Sequence, residues 1–172
     1  MNSTTGRRDV VATYSRLAFI YDAWTRMTET KSLRVALSHA AIRDGEAVLE
    51  IAVGTGVVFR EVLLQNPSGK NVGLDLTQAM RRRARRKAES TGVPFTLELG
   101  DARALRFDDG VFDVVLSNNM LGLLPGKDVK TVLAEMLRVL RAGGRVVLVT
   151  MVPPEHRLPS WIYDVGAKWL GG

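Results

Sequence analysis

The chain predicts an α/β fold, doubly wound around a mostly parallel sheet, and three observations carry that prediction. Short apolar runs alternate with amphipathic helical segments from 47 to 152, and the links between them are short. The first apolar run, "VLEIAVGTGV" (48–57), breaks at glycines and opens directly into a helical pattern. Parallel strands need crossover helices, so strict strand–helix alternation implies a parallel sheet.

The elements follow in order. Residues 7–42 read as a helical cap, with Val10, Tyr14, Leu17 and Tyr21 at helical spacing and a second stripe through Leu33, Val35, Leu37 and Ala41. "RDGE" (43–46) is a turn. "AVLEIAV" (47–53) has the continuous apolar character of a strand covered on both faces. "VVFREVLLQN" (57–66) is a helix stopped by Pro67 and Gly69. "NVGLDL" (71–76) is a second strand, and Thr77 caps a helix over 78–90. Strands follow at 95–100 and within 108–119. A helix over 128–141 has "RAGG" at its end and leads into a fifth strand, 145–152. One domain results: a cap over 1–45, a cofactor-binding core over 46–152, and a C-terminal loop and helix over 153–172.

Composition narrows the chemistry. The 172 residues suit one domain, and 24% charged with 46% hydrophobic residues is an ordinary globular balance. There is no cysteine, hence no disulfide, thiolate metal site or thiol nucleophile, and two histidines make a histidine-rich metal centre a poor expectation. No apolar run is long enough to span a bilayer and the N-terminus is polar, so a cytoplasmic location is expected. The net charge of +6 is concentrated in "RRRARRK" (81–87). Its cations spread over one exposed helical face while Leu76, Met80, Ala84 and Ala88 turn inward. A solvated face, peripheral contact with an anionic membrane, and nucleic acid are the alternatives.

In a doubly wound sheet, ligands sit beyond the carboxyl ends of the strands where strand order reverses. The loop 52–56 is there, and Gly54 and Gly56 let backbone approach a ligand closely. Asp75 ends the second strand, where a carboxylate accepts ribose hydroxyls. Asp101 ends the third, within reach of an adenine amino group. Together they predict adenosine binding. A dinucleotide site wants G-x-G-x-x-G, but the matching positions are Ala52, Gly54 and Val57. Glu50, a carboxylate inside an apolar strand, suits a cationic ligand and would repel a diphosphate.

"VLEIAVGTG", "GLDLTQAM", "GDARAL", "FDVVLSNNML" and "EMLRVLRAGGRVVLV" resemble, in order and spacing, the successive motifs of class I S-adenosylmethionine-dependent methyltransferases. The aromatic N-terminus "YSRLAFIYDAWTRMTE" is similar to that of quinone-biosynthesis C-methyltransferases and bacterial phosphatidylethanolamine N-methyltransferases. The resemblance implies S-adenosylmethionine as cofactor and a small-molecule or lipid-like methyl acceptor. Glu50, Ala52, Gly54 and Gly56 would line the methionine and ribose side. Asp75 would hold the ribose, Leu76 and Met80 the adenine ring, Asp101 and Ala102 its edge, and Asn118 the floor beneath the sulfonium. Tyr14 and Tyr21 would cover the amino-acid end. Ala52 departs from the family, which usually has glycine there.

Catalysis by positioning explains why so few reactive side chains are present; Tyr21 and His156 are the candidates for a base, and His39 is a weaker one. Two alternatives stand beside this reading. A nucleic-acid methyltransferase would suit the charge, but "SNNM" replaces an NPPY-type tetrapeptide after the fourth strand. A cofactor-binding protein with little turnover is the other. Only 20 residues follow Val152, with Trp161, Val165 and Trp169 on one face of a helix over 160–170. The family normally adds a helix and two further strands there. A shortened C-terminus, or a homodimer covering the apolar edge Val146–Val149, is therefore expected.

Overall fold

The computed structural model describes residues 33–150. The cap residues Tyr14 and Tyr21, His156 and the 160–170 helix lie outside the described residues. Five strands form one sheet: β1 (Ala47–Ile51), β2 (Lys70–Asp75), β3 (Thr96–Leu99), β4 (Phe112–Asn118) and β5 (Leu140–Val149). Every pairing is parallel and the order is β3-β2-β1-β4-β5, so the order reverses between β1 and β4. That reversal opens a crevice at the carboxyl ends of the two strands.

Helices cover both faces. Helix α1, described over 33–40, α2 (Val57–Gln65) and α3 (Gln78–Glu89) pack on one side, and α4 (Gly126–Val139) on the other. In β1, Leu49 and Ile51 join the α4 layer while Val48 joins α2, as the two-residue strand period requires. All five β1 residues are buried, as a central parallel strand demands. Phe59 meets Phe95 edge-to-face, with ring centroids 6.0 Å apart, and closes the α2–α3 layer. Burying a side chain of that size contributes about 1.5–3 kcal/mol. Thr77 caps α3, its hydroxyl accepting from the Met80 N–H at 3.3 Å, and Met80, Ala84 and Ala88 are that helix's buried residues.

Two expectations are corrected. The α1 stripe is Leu33, Ala36, Leu37 and Ala40, not Leu33, Val35, Leu37 and Ala41: Val35 is 47% exposed, and Ala36 and Ala40 are buried. Small side chains bring α1 close enough for Arg145 to donate to the carbonyls of Ala40 and Ala41. "RAGG" does not close α4. The helix stops at Val139, Leu140 turns extended and pairs with Phe112, and regular pairing resumes only at Val114–Arg145. The segment 141–144 is thus a bulge inside β5. Gly144 fits there because a Cβ would come within 2.9 Å of the Asp113 carbonyl. Among the described residues β5 is an edge strand, with Leu148 37% exposed.

Candidate cofactor site

The crevice is built where the chain leaves β1. After Ile51 the backbone turns through left-handed Ala52 (φ 60°), Gly54 (φ 54°) and Gly56 (φ 81°). Two bonds fix the loop to itself and to β2: the Val53 N–H donates to the Leu74 carbonyl at 3.1 Å, and Gly56 N–H to the Val53 carbonyl at 2.9 Å. Asp75 makes a third tie. Its carboxylate accepts from Gly54 N–H at 2.9 Å and from the N–H and hydroxyl of Thr77 at 2.8 and 3.1 Å. Burial nonetheless pushes its proton affinity up, with the Thr77 and Gly54 bonds opposing. On the outer side, Lys87 donates to the Thr55 hydroxyl at 3.1 Å.

Glu50 lies at the bottom, 1% exposed, and its Oε2 is buried with no hydrogen-bond partner. Burial pushes its carboxyl well above the usual carboxylate range, and the charge of Asp75 adds to the shift. At the end of β4, the strand paired with β1, the Oδ1 atoms of Asn118 and Asn119 are also buried without partners. Asn119 sits at φ 59°, and its N–H donates to the Val149 carbonyl at 2.6 Å. Buried polar atoms rarely stay unpaired; the two amide oxygens are acceptors, and the Glu50 carboxyl is one when ionised. They await donors or positive charge. An adenosyl group bearing a cationic methionine fits those oxygens.

Glu50, Ala52, Gly54, Asp75, Leu76, Met80, Asp101, Ala102 and Asn118 line one cleft. Gly56 is not among its lining residues. A Cβ on Gly56 would lie 2.5 Å from the Ala84 Cα, so this glycine serves the close crossing of α2 and α3. Asn119, Thr55, Thr77 and the apolar wall of Met120, Leu123 and Leu124 also line the cleft, beyond the residues the sequence predicts. The available signal was "NN" after an apolar strand, since asparagine adopts left-handed backbone more readily than most residues. Among the described residues, no cluster of three or more potential metal ligands occurs, and His39 is exposed on α1.

A family model described as a methyltransferase domain matches residues 48–144, the span that builds this cleft. A demethylmenaquinone methyltransferase of Thermus thermophilus is 32% identical over 156 residues, covering 88% of this chain and 70% of the relative. A phosphatidylethanolamine N-methyltransferase of Cereibacter sphaeroides is 37% identical over 143 residues, covering 81% and 66%. The crystal structure of the YcgJ protein from Bacillus subtilis superimposes with a TM-score of 0.64 at 29% identity, over 73% of this chain and 53% of that one. The chain thus spans roughly half to seven-tenths of the proteins it matches. A parallel sheet in this order, a glycine loop tied to a strand-end aspartate, and these matches lead to one conclusion: the chain belongs to the class I S-adenosylmethionine-dependent methyltransferases.

Proposed function

We propose that the cleft holds S-adenosylmethionine and that the protein transfers its methyl group to a small, lipid-like acceptor. The observation that carries the reading is the trio of buried, unpartnered oxygens, Glu50 Oε2, Asn118 Oδ1 and Asn119 Oδ1, on three residues that line the same cleft. Glu50 and Asn118 take the cationic methionine end. Asp75, already oriented by Gly54 and Thr77, takes the ribose hydroxyls. Leu76 and Met80 cover the adenine ring, Asp101 and Ala102 meet its edge, and Gly54 and Ala52 set the loop backbone against the ligand. Tyr14 and Tyr21, on the cap, complete the amino-acid end, and Tyr21 or His156 takes the acceptor proton where one must leave.

S-adenosylmethionine, when bound, supplies a methyl group already activated by positive sulfur. The protein's task is alignment and exclusion of water, which a dry, apolar wall provides. Met120, Leu123 and Leu124 make that wall, with Leu123 half exposed at 50%. An apolar acceptor suits it, in keeping with the quinone and lipid substrates in the names of the two relatives. Calorimetry with S-adenosylmethionine, S-adenosylhomocysteine and NAD tests the cofactor: micromolar binding of the first two and none of NAD is expected. Binding of NAD alone would overturn it.

Membrane contact through α3 belongs to the same reading. Six cations against Glu89 leave α3 at +5, nearly the chain's whole +6. Like charges three and four residues apart destabilise an isolated helix, so stability does not explain the cluster. Arg82, Arg85 and Arg86 are exposed, although Arg85 also pairs with Glu89 and lies over Phe95. Anionic phosphatidylglycerol vesicles should sediment the protein at low salt, and neutral phosphatidylcholine vesicles should not. Reversing these three arginines to glutamate should abolish the difference while cofactor binding persists. Equal recovery with both vesicles removes the membrane from the reading. The edge strand β5 is where a second copy would pair, and sizing chromatography decides that.

A further inference from the structure

Asp101, placed at the adenine edge, is gripped by Arg103, two residues on. The backbone N–H of Arg103 donates to Asp101 Oδ1 at 3.0 Å. The side chain folds back onto the same carboxylate, with Nε 3.1 Å from Oδ1 and 3.3 Å from Oδ2, and Nη2 2.7 Å from Oδ2. The third guanidinium nitrogen, Nη1, donates to Asp128 Oδ2 at 2.9 Å, in the first turn of α4. One arginine therefore joins the wall that follows β3 to the helix that follows the apolar wall of Met120, Leu123 and Leu124. Arg103 is itself absent from the cleft lining. Whatever it does for a ligand it does through Asp101.

We propose that Arg103 is the positioning residue for base recognition. It holds the Asp101 carboxylate in the orientation from which that group accepts from the amino group of a bound adenine, and Asp128 holds Arg103 in turn. This rests on the S-adenosylmethionine reading of the cleft. A carboxylate on a short side chain rotates about two bonds, and a two-point guanidinium fork removes that freedom before the ligand arrives. Recognition of an exocyclic amino group then depends on the fork. Nonpolar contacts with the ring, through Leu76 and Met80, do not.

The loop itself does not depend on Arg103. Farther along, Glu135 accepts from the Leu105 N–H at 2.7 Å, and Arg138 donates to the Leu105 and Phe107 carbonyls at 2.9 and 2.8 Å. Replacing Arg103 leaves those bonds intact. An effect on recognition can thus be separated from an effect on folding.

The test compares two ligands in the full chain: S-adenosylhomocysteine, and its purine analogue in which a hydrogen replaces the amino group and N1 stays an acceptor. The native protein should prefer the amino form by about tenfold or more, because the analogue offers the Asp101 carboxylate no donor. Arg103→Met should shrink the preference to about twofold to threefold by weakening only the amino ligand, with Asp128→Asn intermediate. Arg103→Lys keeps the charge and loses the fork, and should behave like the methionine variant. A structural role alone would weaken both ligands equally and leave the ratio unchanged. An unchanged ratio in Arg103→Met overturns the proposal, as does a native protein that binds both ligands equally. A native protein that binds neither overturns the cofactor reading instead.

Discussion

Replacing Glu50 by glutamine is the sharpest probe of the cleft, because it keeps the shape and removes only the capacity for charge. Glu50 is fully buried, its Oε2 has no partner, and both burial and Asp75 favour its protonated form. In the ligand-free protein the folded state therefore holds this proton more tightly than the unfolded chain does. Below about pH 4.5, the ordinary value, both states carry the proton and nothing is lost. As pH rises above that value, the unfolded chain releases the proton while the folded protein keeps it. Stability then falls by about 1.4 kcal/mol per pH unit until the raised folded value is reached. Glu50→Gln should flatten that slope and raise the neutral-pH melting temperature by about 2–4 °C for each kcal/mol recovered. Ligand binding should move the other way. A cationic methionine group favours ionised Glu50, so binding should release a proton and strengthen as pH rises. The glutamine variant should bind about 10–100-fold more weakly, the equivalent of about 1.4–2.8 kcal/mol, with no pH slope. Calorimetry in two buffers of different ionisation enthalpy counts the proton, and thermal melts across pH read the stability. A variant that binds as tightly as the native protein with an unchanged slope would refute the reasoning. So would one less stable than the native protein at neutral pH.

Two further substitutions test the loop. Gly56→Ala places a Cβ 2.5 Å from the Ala84 Cα and 2.8 Å from its Cβ, at φ 81°; overpacking and left-handed strain together should cost about 2–5 kcal/mol in urea unfolding, only partly relieved by Ala84→Gly. Ala52→Gly removes a Cβ from a residue at φ 60°, so it should stabilise the protein by about 0.5–1 kcal/mol and leave S-adenosylhomocysteine affinity near native; a loss of stability would show that the methyl group makes a compensating contact.

The parts of this fold that show in the sequence are those with a local physical cost. A carboxylate inside "VLEIAV" is expensive wherever that strand lies, so Glu50 stands out from its neighbours alone. Strand-end aspartates and paired glycines mark a crevice because parallel sheets place ligands there. What stays hidden depends on tertiary context. Glycines after a helix normally read as its cap, and nothing local in "RAGG" reveals that Leu140 is already pairing with Phe112. Val35 looks like core and is exposed, because α1 faces the sheet through Leu33, Ala36, Leu37 and Ala40 instead. Gly56 reads as part of a ligand loop, although the helix it must clear is residue 84, remote in sequence. Arg103 gives no sign of folding back onto Asp101.

Charge is segregated in this molecule in a way that bears on which adenosyl ligand it takes. The basic excess lies on α3, at the outer surface, while the described residues lining the cleft include Glu50, Asp75 and Asp101 and no lysine or arginine. A dinucleotide would bring a diphosphate into that lining and find no cation and no glycine-rich turn of the required spelling. Helix N-termini attract phosphate, and Val57 and Val58 at the start of α2 do line the cleft, so the case against a diphosphate rests on the missing cation and the loop's spelling. A sulfonium and an α-ammonium meet the opposite situation. Asp75 is fixed by its three donors, and Asp101 is bound to Arg103. Burial and the charge of Asp75 push the Glu50 carboxyl toward its protonated form, and a positive charge beside it would act in the opposite direction. A cation bound beside Glu50 would favour the carboxylate form, against the direction in which burial pushes that group. Proton release on binding, lost in Glu50→Gln, is the signature expected of a cationic adenosyl ligand seated beside that residue.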